Sequence, residues 1–287
     1  MVVPVTIAQP LPTYSSDMKQ ILENQVAFIT GAGSGLGAAA ARRLAADGAL
    51  IAVNDLDLAS AQRIADEVGG IAYAFDVTDS AAFTSAVDDA VKKLGRLDIM
   101  INNAGIAPND TASKMDLLIE NTAKRMGGQI DQMSPMNYLC DLNDESWDRM
   151  IKVHLYGAFY GCRAALTHMQ PQKSGRIINI SSVLGLYPAA GAPHYSVAKA
   201  GIITLTKAVA AEVAALGINV NAICPGYIRT PLLTPFSETM MAGITMRIGK
   251  GRLGEPEELA DMIRFLSGPE SEYCTGDVFS VSGGYTG

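Results

Sequence analysis

The sequence predicts an α/β fold, a single doubly wound domain whose parallel sheet of about seven strands carries helices on both faces. Three observations predict it. Short apolar runs alternate with amphipathic segments from residue 25 to the C-terminus. The runs are almost unbroken by polar residues, as strands buried on both faces require. A glycine-rich turn, "TGAGSGLG" (30–37), follows the first of them directly.

The elements follow in order. "QVAFIT" (25–30) reads as the first strand, a helix runs from about Gly35 to Asp47, and "ALIAVN" (49–54) returns as the second strand, completing a βαβ unit. A helix near 57–68, the strand "IAYAF" (71–75), a helix near 80–94 and the strand "LDIMIN" (97–102) continue the pattern. A long helix near 144–170 precedes "GRIINIS" (175–181), and a helix bearing "YSVAKAG" (195–201) leads to "INVNAIC" (218–224). A helix near 256–267 and a strand around 277–281 close the chain. Residues 1–24 read as an extension before the fold and 25–287 as one domain, with no repeat.

Two segments break the rhythm. Residues 107–143 are too long for an ordinary βα connection, and 227–250 form the second departure. The first holds Met115, Met126, Met133 and Met136, the second Met240, Met241 and Met246. Methionine adapts to irregular apolar surfaces, so the pair reads either as an insert and a substrate lid or as core filling under loops.

Composition narrows the function. A net charge of −7 attracts neither nucleic acid nor an anionic membrane. Cys140, Cys162, Cys224 and Cys274 are scattered, with no Cys-x-x-Cys and no adjoining histidine pair, so neither a disulfide framework nor a metal site is expected. The first residues lack a basic start and an unbroken apolar stretch, and no run reaches the ~18 apolar residues of a membrane span. A soluble, cytoplasmic protein is expected.

The glycine turn sits between a strand and a helix, where a dinucleotide pyrophosphate binds. Gly31, Gly35 and Gly37 permit a tight turn and close backbone approach, and the helix N-terminus offers N–H groups and a partial positive charge. With Ser34 and Leu36 they are the candidate phosphate contacts. Asp55 ends the second strand about 20 residues on, where a carboxylate accepts from a ribose 2′-hydroxyl and repels a 2′-phosphate. No arginine or lysine lies within 31–37 or beside Asp55, so NAD is expected over NADP.

Tyr195 and Lys199 stand four apart on one helix face. Alone, that spacing is an ordinary surface pair. Beside a cofactor loop it is a candidate acid/base group, because a nearby ammonium lowers a phenol pKa that is otherwise too high for work near neutrality. No other tyrosine here has a lysine four residues on.

Taken together, the Gly-x-x-x-Gly-x-Gly spacing of 31–37, "NNAG" (102–105), Ser182 thirteen positions before Tyr195, Tyr195-x-x-x-Lys199 and "PG" (225–226) resemble the short-chain dehydrogenase/reductase family. The resemblance runs from residue 25 almost to the end and implies a Rossmann-type fold. By that resemblance Asn103, Ala104 and Gly105 flank the cofactor, Asp76 and Val77 meet the adenine, and Pro225, Gly226, Ile228 and Thr230 hold the nicotinamide end. Tyr195 is implied as acid/base, Lys199 as its modulator and ribose ligand, and Ser182 as the group orienting the substrate oxygen. A homotetramer built by helix pairing is also implied. One position departs from the family: "VHLYG" places His154 where an asparagine usually supports a water chain from the lysine. His154 either relays protons or packs in the helix stripe.

The reading is an NAD-dependent oxidoreductase that interconverts a secondary alcohol and a ketone without a metal. The methionine-rich covers, with few basic residues near them, favour a medium to bulky apolar substrate such as a steroid, terpenoid or hydroxyacyl thioester. The alternatives are a 3-oxoacyl thioester reductase of fatty-acid type, opposed by Asp55 and the acidic charge, and a non-catalytic NAD(H)-binding protein.

Overall fold

The computed structural model describes residues 21–108, 111–188, 190–234 and 236–285. Most of the expected N-terminal extension therefore lies outside the described residues. Its last part does not behave as an extension. Leu22 is fully buried in the core, its N–H donates to the Asp47 carbonyl at 2.9 Å, and the fold thus includes at least residues 21–24.

Seven parallel strands form one sheet in the order β3-β2-β1-β4-β5-β6-β7. They are β1 (Val26–Ile29), β2 (Leu50–Asp55), β3 (Ile71–Ala74), β4 (Ile99–Asn102), β5 (Gly175–Ile180), β6 (Ile218–Pro225) and β7 (Val278–Val281). The first helices are α1 (Gly35–Ala46), α2 (Leu58–Val68), α3 (Ser80–Leu94), α4 (Thr111–Met126), α5 (Tyr138–Asp141) and α6 (Asp144–Ile151). After them come α7 (Gly157–Gln172), α8 (Val183–Leu186), α9 (Pro193–Val213), α10 (Glu238–Met246) and α11 (Pro256–Ser267).

Strand periodicity divides the interior into two cores. Ala27, Ile29, Ile99 and Ile101 face α1, α2 and α11, whereas Val26, Phe28 and Met100 face α3, α7 and α9. Helix ends are locally encoded. Asp57 and Asp79 cap α2 and α3 by accepting from backbone N–H groups, and Gly69 and Gly95 end the same helices in the left-handed region. Glu255 and Glu258 form a capping box around Pro256 at the start of α11.

Strand order reverses between β1 and β4, so the connections after these strands part and leave a crevice at their carboxyl ends. Two elements differ from the expected ones. The helix anticipated near 144–170 is a run of α6, a π-helical turn Lys152–Tyr156 and α7, with His154 inside the wide turn. The segment 107–143 is not merely a loop. It contains α4, whose buried Asn121 donates to the Ser134 carbonyl (2.7 Å) and accepts from the Ser134 N–H (3.0 Å), tying the returning chain to the helix.

Candidate active site

A cavity of about 1260 Å³ fills the crevice. Gly31, Ser34, Gly35 and Leu36 form its floor, with Asp55, Asp76, Val77, Asn103, Ala104 and Gly105 beside them. Ser182, Tyr195, Lys199 and His154 line it further on, followed by Pro225, Gly226, Ile228 and Thr230. Gly37 is absent from this lining. A β-carbon there would press on the Gly31 carbonyl and the Asn103 side chain, so Gly37 lets α1 pack against the strand ends.

The floor suits a pyrophosphate. Gly31 and Gly35 take φ of +61° and +52°, and a β-carbon on Gly31 would lie 2.8 Å from Ala104 Cα. Ser34 stands at the N-cap of α1 without a side-chain cap bond, and the first turn holds no acidic residue, so its N–H groups are available to an anion. Asn103 braces the loop through Nδ2, donating to the Thr30 and Gly31 carbonyls at 2.9 and 3.0 Å. Thr30, which sequence reasoning passed over, accepts from the Asn103 and Ala104 N–H groups through Oγ1. Its place beside the first glycine was the available signal.

Asp55 meets the loop where the second βα turn passes it. Oδ2 accepts from the Gly33 N–H at 2.9 Å and Oδ1 from the Asp57 N–H at 3.2 Å, leaving further lone pairs for a ribose hydroxyl. A guanidinium is also present. Arg63, on the loop-facing side of α2, donates to the Gly33 carbonyl at 2.7 Å, so the expected absence of a cation near this loop holds in sequence but not in space. Asp76 accepts from the Thr78 N–H at 2.8 Å, shaping the turn that presents Val77.

At the other end, α9 carries Tyr195 and Lys199. Lys199 Nζ lies 5.6 Å from the Tyr195 ring centre and donates to the Ile180 carbonyl at 2.8 Å. Ser182 follows β5; its hydroxyl accepts from the Leu184 N–H at 3.1 Å and acts on the Tyr195 phenol beside it. Burial drives the phenol pKa of Tyr195 up, partly countered by Ser182, and burial holds Lys199 down at about 7. The lowering of Tyr195 read from the spacing is thus opposed by desolvation, which acts on both groups.

His154 Nε2 lies 3.1 Å from the Ile106 N–H and 3.0 Å from the Ile106 carbonyl oxygen, so either tautomer finds a partner there. Its Nδ1 is buried with no partner. Burial, then the nearby Lys199, push its pKa well below the usual value.

The methionines divide. Met240 lines the cavity, but Met126 and Met246 are 86% and 85% exposed and Met136 is tied to Asn121. The apolar wall is built instead by Tyr227, Leu233, Phe236 and Met240. Among the described residues there is no cluster able to hold a metal and no helix long and apolar enough to cross a membrane.

A glycine turn at the switch point of a doubly wound sheet, joined by one cavity to a serine, tyrosine and lysine, defines the class of dinucleotide-dependent oxidoreductases. Comparison with known proteins gives the family. The short chain dehydrogenase model matches residues 25–241, and the chain belongs to this family of nicotinamide-dependent oxidoreductases. It is 34% identical to a 3-oxoacyl-[acyl-carrier-protein] reductase of Thermotoga maritima, over 92% of this chain and 98% of that protein. It is 36% identical to a cis-4-hydroxycyclohexanecarboxylate dehydrogenase of Sinomonas cyclohexanicum, over 94% and 99%. Among solved structures, a 3-ketoacyl-(acyl-carrier-protein) reductase from Brucella melitensis complexed with NADH superposes with a TM-score of 0.79 at 31% identity, covering 92% of this chain and 99% of that one. The two reductases fit the 3-oxoacyl reductase alternative better than the broader apolar-alcohol reading.

Proposed function

We propose that the protein reduces the ketone of a 3-oxoacyl thioester to a hydroxyl group, with NADH as the reductant. One observation carries the reading: the Ser182, Tyr195 and Lys199 side chains open onto the same cavity as the glycine loop and the apolar wall of Leu233, Phe236 and Met240. The relatives supply the substrate class. The solved relative, a 3-ketoacyl reductase complexed with NADH, supports a reading in which Asp55 and thioester reduction go together. Arg63 at the loop leaves NADPH as the competing choice.

The cofactor supplies a hydride to the carbonyl carbon. Ser182 and Tyr195 hold the carbonyl oxygen by hydrogen bonds, and Tyr195 gives it a proton as negative charge develops there. Lys199, anchored on Ile180, stabilises the phenolate that remains and holds the ribose hydroxyls. His154 stands beside Tyr195 as a candidate for returning the proton from solvent. Asp76 and Val77 support the adenine, and Pro225, Gly226, Ile228 and Thr230 the nicotinamide end. We further infer that 227–250 covers the substrate, and that the enzyme is cytoplasmic and homotetrameric. Exposed Tyr156 at the end of the π-helical turn, Phe159 on α7 and Val197 on α9 support helix pairing.

The test is NADH and NADPH oxidation with acetoacetyl and longer 3-oxoacyl thioesters, run beside the NAD-linked oxidation of cyclic secondary alcohols. Thioester reduction favouring NADH supports the reading. Activity confined to the alcohols supports the second reading, which the 36% identity to the hydroxycyclohexanecarboxylate dehydrogenase favours.

A further inference from the structure

The chain does not leave the fold where β7 ends. Gly283 and Gly284 take φ of +64° and +80°, a left-handed pair that turns the chain back over residues 248–250. The Lys250 N–H donates to the Gly283 carbonyl at 2.9 Å, the Gly249 N–H to the Gly284 carbonyl at 3.3 Å, and Tyr285 pairs with Ile248 in an antiparallel bridge. A β-carbon on Gly283 would lie 3.0 Å from Ile248 Cγ2, so the close approach of the two segments depends on that glycine.

This turn delivers Tyr285 into a third apolar core, separate from the two against the sheet. Tyr285 is 5% exposed and clusters there with Val183, Met240, Ile244, Ile248 and Leu253. The Arg247 guanidinium lies 5.2 Å from its ring centre. Its aromatic neighbour is Tyr227, with ring centres 5.5 Å apart and planes at 59°. Tyr227 and Met240 both line the cavity, whereas Tyr285 does not. Tyr285 therefore stands behind the wall, touching residues that face the substrate.

We propose that Tyr285 is a positioning residue for substrate specificity. By filling the space behind Tyr227 and α10 it sets how closely the apolar wall closes on the part of the substrate beyond the reacting carbonyl. A ring removed from this core leaves room into which Met240 and Tyr227 relax, because packed interiors respond to lost volume. Substrates that reach the wall lose fit; substrates that end before it do not. The choice of substrates below rests on the 3-oxoacyl reading, but the role of Tyr285 behind the wall does not.

The test uses the full-length enzyme and its Tyr285→Ala and Tyr285→Phe variants, with acetoacetyl-CoA and 3-oxooctanoyl-CoA as short and long substrates. Tyr285→Ala is expected to raise KM for the long substrate at least ~10-fold while changing KM for the short one, and its kcat, less than ~3-fold. NADH binding by fluorescence should stay within ~2-fold, and Tyr285→Phe, which keeps the ring, should recover most of the long-substrate KM. Equal change for both substrates, or no change for either, overturns the proposal. Hydrogen exchange over 238–248 separates this from failure of the functional reading. If wild type reduces neither thioester, the functional reading fails, and loss of lid protection in Tyr285→Ala with recovery in Tyr285→Phe still supports the positioning role. Unchanged protection overturns it. Should the alanine variant not fold, Tyr285→Leu replaces it under the same criteria.

Discussion

The imidazole of His154 stands edge-on to the ring of Tyr195, with centroids 5.2 Å apart and planes at 83°. This contact depends on the π-helical turn Lys152–Tyr156, which widens the helix where His154 sits and places its Nε2 against Ile106. The histidine thereby joins two parts of the site, the loop after β4 and the helix bearing the acid/base candidate.

Tyr195→Phe is expected to lower turnover at least ~100-fold while NADH affinity is nearly unchanged, because the phenolic proton is lost and the ring is kept. Fluorescence titration and steady-state rates measure the two separately. Near-normal turnover would reject Tyr195 as the acid.

Asp55→Ala should narrow the preference for NADH over NADPH by removing a carboxylate that repels a 2′-phosphate. Arg63 enters the comparison because its guanidinium already touches the Gly33 carbonyl. In the Asp55→Ala background, Arg63→Ala should then weaken NADPH more than NADH. Cofactor KM ratios for the single and double variants decide this, and a wild-type preference for NADPH overturns the role given to Asp55.

Stability should rise with pH through Lys199. Its folded pKa of about 7 lies below the unfolded value of ~10.4, so between these the unfolded chain binds the extra proton and folding is penalised less as pH rises. His154, whose pKa burial lowers, acts in the same sense and costs stability as pH falls below the ordinary imidazole value of ~6.5. Burial sets both shifts, while Cys224 faces Lys199 and His194 faces His154. Melting temperature against pH should therefore be flatter for Lys199→Met above neutrality and for His154→Asn below it. Unaltered slopes would show that these groups titrate normally.

Most of the architecture was legible because it rests on local patterns. Unbroken apolar runs such as "AFI" and "IMI" mark strands buried on both sides, and a glycine turn after the first strand marks the candidate cofactor loop. The rest depends on what meets in space. Arg63 reaches the glycine loop only because α2 packs on it, and Leu22 is buried only because the turn before β1 docks beside Asp47. The π turn at His154 carries no proline or glycine to announce it, and α4 escaped notice inside a segment read by its length.

Gly105→Ala tests the packing of His154 from the other side. A β-carbon there would come within 2.5 Å of His154 Cε1 and 3.0 Å of Nδ1, so the imidazole must shift. The expected cost is about 1–3 kcal/mol, as for other overpacked sites. Combining it with His154→Ala should recover part of that loss, because the clash disappears with the ring. Additive effects in denaturant melts would show that the two residues do not press on each other.

The role of His154 itself divides two replacements. If the imidazole carries protons between the Tyr195–Lys199 group and solvent, His154→Asn keeps a polar group at the cavity and remains active, while His154→Leu slows turnover without weakening NADH binding. If the ring only fills space, Leu is the better-tolerated residue, since it matches the apolar surroundings, and Asn destabilises by leaving buried polar atoms unpaired. The unpartnered Nδ1 is buried against Gly105, so a relay through it needs the ring or that loop to move, and the two variants decide whether it does. The loss of the Nε2 contact with Ile106 occurs in Leu under either role, so melting temperature is measured with turnover to separate folding from proton transfer. A Leu variant with full turnover rejects the relay, and an active Asn variant beside a slow, well-folded Leu variant establishes it.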